Sequence, residues 1–215
     1  MSKIDKLFQD LSIVEKIQEK LPTLFQLAEI DNQRDGKLGM EMGSARERII
    51  IALLIYQFSE ENVITNIPIT ENETDVIVFK EPISIKTVTN KKIVGVKLIW
   101  TVDAQKALEF INKYKAECDM LFVHINWNGD GGMYLIPKEV QTEILNQYGK
   151  EFYFKLPKQG TNPRGVEITN QAINKLTEHS QTKMIKINWF RGDDENYTPY
   201  DRWVDLWKDE KNKMG

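Results

Sequence analysis

Apolar residues recur at helical spacing from the start of the chain: Ile4, Leu7, Phe8 and Leu11, then Val14, Ile17 and Leu21. The spacing predicts helix over residues 3–30, punctuated at Pro22. The polar, glycine-containing stretch 30–39 (IDNQRDGKLG) reads as a loop. Residues 42–58 (MGSARERIIIALLIYQF) form the next helix, with Ser44 placed as its N-cap. Their apolar density predicts a helix buried on most sides. Period-two patterning then takes over. TDVIVFKEPISIKT (74–87) reads as a hairpin and KIVGVKLIW (92–100) as a third strand, which together make a meander.

DAQKALEFINKYK (103–115) returns to helical spacing behind a capping Asp103. MLFVHINW (120–127) reads as a strand buried on both faces. NGDGG (128–132) is a turn signal and MYLIP (133–137) the returning strand. A helix over 138–149 ends at Gly149. EFYFKLP (151–157) reads as a strand, KQGTNPRG (158–165) as an irregular loop, 167–179 as a helix and 183–190 as the last strand. The polar tail 191–211 carries Trp203 and Trp207, which would dock it on the body. This order predicts an α/β (α+β) fold with a mixed central sheet and flanking helices. The expected organisation is one domain over 1–215, with a helical segment, 1–40, packed on it.

The hairpin has an unusual face. Side chains alternate along a strand. Asp75, Ile77 and Phe79 therefore share one face of the first strand, and Ser84, Lys86 and Val88 one face of the second. A turn centred between Lys80 and Glu81 would set Asp75 opposite Lys86 and Ile77 opposite Ser84. The polar groups then converge on one side over an aliphatic backing. Two readings stay open: a solvated Asp–Lys pair of little energetic consequence, or a platform for chemistry.

Composition narrows the choice. A net charge of -3 argues against a protein that coats nucleic acid by bulk charge, but leaves room for a local basic cleft. The single cysteine, Cys118, excludes an internal disulfide and a cysteine-built zinc site. His124 and His179 lack metal-ligand spacing, and His124 reads as a core histidine. No P-loop or dinucleotide fingerprint occurs. No apolar run reaches membrane-spanning length and the N-terminus lacks a signal-type centre, so the expectation is a soluble cytoplasmic protein.

Asp75, an eight-residue gap and then Ser84-Ile85-Lys86 resembles the active-site hairpin of PD-(D/E)XK nucleases, above all type II restriction endonucleases. The chain departs from that pattern at Thr74, where proline is usual, and at Ser84, where a second acid is expected. The resemblance implies a restriction-endonuclease-like core and Mg²⁺-dependent, sequence-specific hydrolysis of double-stranded DNA. It implies Asp75 as a metal ligand, the backbone carbonyl of Ile85 as another, and Lys86 as the residue that orients water and offsets phosphate charge. Ser84 would add a polar or water-mediated contact. The chemistry suits those types, because phosphodiester hydrolysis uses hard oxygen ligands, a Lewis acid and cationic stabilisation.

The missing carboxylate is expected from the preceding helix. Glu47 has Ile50 and Ile51 at i+3 and i+4 and Leu54 at i+7, so it points along the apolar face. The other reading of Glu47 is a first-turn acid that favours the helix dipole. Glu71, Glu73, Glu81 and Asp103 are fallbacks, with Asp103 read as a cap and Glu81 as a turn residue.

For DNA contact, the part spanning 150–190 stands out. Its loop places Lys158, Gln159, Thr161, Asn162 and Arg164 before a helix, types that pair with bases and phosphates. Asn126 and Asn128, at a strand end, are a second group. Met40 and Met42, beside Arg46 and Arg48, read as a groove wedge, a core contact or a dimer contact. A two-fold symmetric homodimer is expected, because palindromic sites match two-fold proteins. The competing functions are a non-catalytic DNA-binding domain with a degenerate nuclease core, and a repair or junction nuclease.

Overall fold

The computed structural model describes residues 3–34, 37–38, 42–68, 73–155 and 165–192, with Thr198, Tyr200 and Val204. Its elements are α1 (Lys6–Gln9), α2 (Leu11–Asp31), β1 (Gln33–Arg34), β2 (Lys37–Leu38), α3 (Met42–Phe58), β3 (Val63–Ile64), β4 (Val76–Val78), β5 (Glu81–Thr89) and β6 (Lys97–Ile99). They continue with α4 (Ala104–Lys113), β7 (Asp119–Ile125), β8 (Gly129–Ile136), α5 (Lys138–Tyr148), α6 (Lys150–Tyr153), β9 (Phe154–Lys155), β10 (Val166–Ile168), α7 (Asn170–Glu178) and β11 (Lys183–Trp189).

A six-stranded mixed sheet runs in the order β11-β8-β7-β5-β4-β3. Only the β5–β7 pair is parallel. Its two faces carry separate cores. Ile83, Ile85, Leu121 and Val123 pack with α1, α2 and α3, whereas Met120, Phe122, Tyr134 and Ile136 pack with α4, α5, α7 and the small sheet β6-β10-β9. β7 is buried on both faces after Asp119, as its unbroken apolar run requires.

Several expectations need correction. The helix expected over residues 3–30 is broken at Asp10, whose carboxylate caps α2 by accepting from the backbone of Ser12 and Ile13. Pro22 does not end α2: both it and Leu21 are buried, and packing of the apolar stripe outweighs the lost backbone bond. Residues 30–39 contain a small β1–β2 pairing. α3 begins at Met42, so Ser44 lies inside its first turn. Its buried stripe is Met42, Arg46, Ile50, Leu54 and Phe58, and Tyr56 is exposed, so one side of α3 faces solvent.

The predicted meander does not form. β6 leaves the main sheet, and β7 takes the place beside β5. The glycines of NGDGG lie in β8 rather than in a turn. A Cβ on Gly131 would stand 2.2 Å from the His124 carbonyl oxygen and 2.6 Å from Trp189 Nε1, so close packing of strands requires glycine there. The turn falls earlier, with Asn128 at φ 63°. EFYFKLP begins in α6 and reaches β9 only at Phe154, and the helix expected over 167–179 is β10 followed by α7, capped by Thr169.

Candidate active site

β4 has three residues and β5 has nine, so β4 covers only the first part of β5. Their register is Val76↔Ile83, Ile77↔Pro82 and Val78↔Glu81. The turn is Phe79-Lys80, both with positive φ, 51° and 73°. That is two residues away from the register expected from the sequence. The ladder ends at Val76, and the Asp75 N–H donates to the Ile83 carbonyl at 2.9 Å, so Asp75 is not set directly opposite Lys86. A shift of two keeps every side chain on its face, and Lys86 still reaches Asp75 along the diagonal.

Among the described residues no strand pairs with the β4-facing edge of β5 past Ile83, and Asp75 occupies the first position of that open edge. One carboxylate oxygen, Oδ2, accepts the Ile85 backbone N–H at 2.6 Å, the Ser84 hydroxyl at 3.3 Å and the Lys86 ammonium at 3.2 Å. A residue's N–H and C=O leave a strand on the same side, so the Ile85 carbonyl points to this edge too. Ser84 is buried, with 3 % of its surface exposed. A carboxylate in its place would face Asp75 at close range in a poorly solvated spot, where like charges oppose joint ionisation. The hydroxyl avoids that conflict and donates instead.

Glu47 enters from α3 on the opposite face. It lines a cavity of about 360 Å³ at the open edge, with Ile85, Lys86, Thr87, Val88, Lys97 and Glu167 also in its walls. Burial pushes its carboxyl above the usual carboxylate range, the Asp75 charge pushes it further, and Lys86 and Arg48 oppose. Among the described residues nothing gives it a hydrogen bond or a salt bridge. Glu73 also stands near. Its Oε1 is buried without a partner, and burial pushes the carboxyl up to about 7, with Lys86 opposing and Glu117 and Asp75 adding to the shift. Asp103 caps α4 through the backbone of Gln105 and Lys106. Glu81 pairs with Val78 at the start of β5, and Glu71 lies outside the described residues.

The N-terminal turn of α3 is held by a buried charged hub that the sequence reading missed. The Glu29 carboxylate, on α2, accepts from Arg46 at 2.5 Å, Trp127 Nε1 at 2.9 Å and Arg191 at 2.6 Å. The Arg191 guanidinium also lies 4.3 Å from the Trp127 ring centre. Arg46 precedes Glu47, so the hub fixes where Glu47 enters. A charged residue inside the α2 stripe that continues Leu21 and Phe25 was the available signal. Met42 and Arg46 are buried, so neither acts as a wedge or a basic contact, and Met40 lies outside the described residues.

The remaining candidates fall elsewhere. Lys158, Gln159, Thr161, Asn162 and Arg164 lie outside the described residues. Asn126 and Asn128 follow β7, past the Thr89↔Ile125 pair, and are not part of the Asp75 cluster. The Asn126 amide donates to the Asp130 carbonyl inside its own turn, while Asn128 is exposed. His124 is buried against the Asn90 carbonyl at 2.9 Å, a core histidine whose pKa burial lowers. Cys118 is a buried thiol pushed up to about 12.

Comparisons with known proteins show the family and the fold. A family model described as restriction endonuclease ThaI matches residues 7–209. A solved structure described as a restriction endonuclease in complex with substrate DNA is 53% identical in sequence, with a TM-score of 0.88, covering 96% of this chain and 99% of that one. No curated protein matches. The mixed α/β fold is thus that of a restriction endonuclease.

Proposed function

This chain belongs to the ThaI restriction endonuclease family and is a type II, site-specific deoxyribonuclease, and from that premise we propose that it cuts double-stranded DNA at the open edge of β5, using Asp75, Lys86 and Glu47. The observation that carries the reading is the convergence of Ser84, Ile85 and Lys86 on one oxygen of Asp75, with the unsatisfied Glu47 carboxyl facing the same edge.

The donors fit Mg²⁺. Among the described residues no three His, Cys, Asp or Glu side chains converge into a cage. Two carboxylates and a carbonyl, completed by water and substrate oxygens, are a set that Mg²⁺ accepts. Asp75, Glu47 and the Ile85 carbonyl would hold it. When bound, the ion supplies a Lewis acid at the phosphoryl oxygen. Desolvation of Glu47 leaves a carboxylate whose charge a cation would offset. Lys86, held 3.2 Å from Asp75, places an ammonium where it orients water and offsets charge on the phosphate. Ser84 and the Ile85 N–H hold Asp75 in one orientation, leaving Oδ1 for the ion.

Substrate DNA is the ligand of the 53% identical relative, and the same ligand is proposed here. The loop residues Lys158, Gln159, Thr161, Asn162 and Arg164, and the exposed Asn128, are the proposed base and phosphate contacts, with Asn126 shaping the turn that presents Asn128. A homodimer is proposed from the symmetry of palindromic sites, and sedimentation of the free protein and of its DNA complex tests it. Among the described residues no helix is long and apolar enough to cross a membrane. The functional test is incubation with plasmid and genomic DNA in Mg²⁺ and in EDTA. Discrete fragments in Mg²⁺ alone support the reading. Smearing, or cuts at structured DNA only, would oppose it.

A further inference from the structure

β5 runs on past the cavity lined by Glu47 and Lys86, and ends at Thr89. Past Thr89 the chain turns through Asn90-Lys91-Lys92, and a second cavity of about 810 Å³ opens there. Its walls carry Lys91 and Lys92 and the amides of Asn90, Asn170 and Asn174, with His124 alongside. No acid lines it. Lys91 and Lys92 are exposed and neither has an acidic partner among the described residues. The far wall is fixed, because the Gly95 N–H donates to Asn170 Oδ1 at 2.6 Å and a Cβ on Gly95 would stand 2.1 Å from the Ile168 carbonyl oxygen. Val88 and Gly95 in the first cavity are near neighbours in sequence of Asn90 and Val94 in the second.

We propose that this second cavity is a phosphate-gripping track for the cleaved DNA strand, with Lys91 and Lys92 as its cations and Asn174 as an added donor. The proposal rests on the assignment of the β5 edge as the site of cleavage. Two comparisons within the molecule favour it. A larger cavity of about 1030 Å³ lies by the start of β5, at Pro82, but there Lys106, Lys113 and Lys115 stand against Glu73, Glu109 and Glu117. That balance gives a polyanion no net attraction, whereas the acid-free cavity does. Length also fits. From Lys86 to Asn90 is four residues of strand, about 13 Å at about 3.3 Å each. One strand of duplex rises about 3.4 Å per phosphate, so the track begins within about four nucleotides of the scissile phosphate.

The test reads DNA binding without chemistry. Equilibrium binding to a duplex that carries the mapped cleavage site is measured in EDTA over a salt series, for the wild type, for Lys91→Ala/Lys92→Ala and for Lys113→Ala/Lys115→Ala. Each phosphate contact contributes about 0.9 to the slope of log affinity against log salt. The Lys91/Lys92 variant is expected to lose about 2 from that slope for each bound protomer, and the Lys113/Lys115 variant to keep the wild-type value. An unchanged slope in the first variant, or an equal loss in both, overturns the track while leaving the cleavage site standing. Cleavage retained by Lys86→Ala would instead remove the β5 edge as the site, and the track with it.

Discussion

Asp75 Oδ2 accepts the Ile85 backbone N–H at 2.6 Å, so a side chain occupies the place where a longer β4 would have put a carbonyl. The acid proposed as a metal ligand is thereby also the group at the end of the β4–β5 ladder. The same oxygen receives Lys86, and this links the position of the ammonium to the position of the strand edge.

Asp75→Asn keeps an acceptor for the Ile85 N–H and removes the charge. The folded protein is expected to survive, with a melting temperature within a few degrees of the wild type. Cleavage is expected to fall by at least about 10³-fold, because several kcal/mol of Lewis-acid stabilisation are lost and each ~1.4 kcal/mol is tenfold. Thermal melts and single-turnover cleavage check both halves.

Glu47→Gln separates a metal ligand from a helix-end acid. As a ligand, Glu47 predicts a half-saturating Mg²⁺ concentration raised by about 10- to 100-fold, with unchanged or slightly higher stability in EDTA. Calorimetric titration of the metal and the Mg²⁺ dependence of cleavage read the two effects. A loss of stability with unaltered metal dependence would assign Glu47 to structure alone.

Glu73 gives a pH signature. Its carboxyl is raised to about 7 by burial. A raised acid contributes stability that is fully present below the unfolded value and is lost as pH rises through about 7. Glu73→Gln should therefore raise the melting temperature of the metal-free protein at pH 8.5 and leave it unchanged at pH 4.5. The limit of the gain is about 3 kcal/mol. Equal melting temperatures at pH 8.5 would contradict a desolvated Glu73.

The Glu29 hub predicts a steep energetic order. Glu29→Gln leaves the buried Arg46 without its counter-charge and should cost about 3–5 kcal/mol in chemical denaturation. Trp127→Phe removes one hydrogen bond to a charged group and should cost about 1.5–3 kcal/mol. Near-neutral behaviour of Glu29→Gln would mean that the hub does not fix α3.

The face of the hairpin was readable from the sequence because strand parity survives any even register shift, so Asp75, Ser84 and Lys86 stay together even though the turn lies at Phe79-Lys80. The register itself was not readable, since neither residue of that pair favours positive φ. The place of Glu47 beside the hairpin, though not its role, was legible through helical spacing. The exit of β6 from the sheet was not, because its sequence is as strand-like as that of a meander and only tertiary packing decides which neighbour β5 takes. The glycines of β8 misled for a related reason: Gly131 answers to the closeness of His124 on the neighbouring strand and of Trp189, which is distant in sequence.

The most direct test of the account is single-turnover cleavage of the mapped DNA site by Lys86→Ala, compared with its binding of the same duplex. The account predicts a folded protein that binds the site with near wild-type affinity and cuts it at least about 10³-fold more slowly, as expected when cationic stabilisation of the transition state is removed. Cleavage at the wild-type rate in Mg²⁺ would contradict the assignment of the β5 edge as the catalytic site.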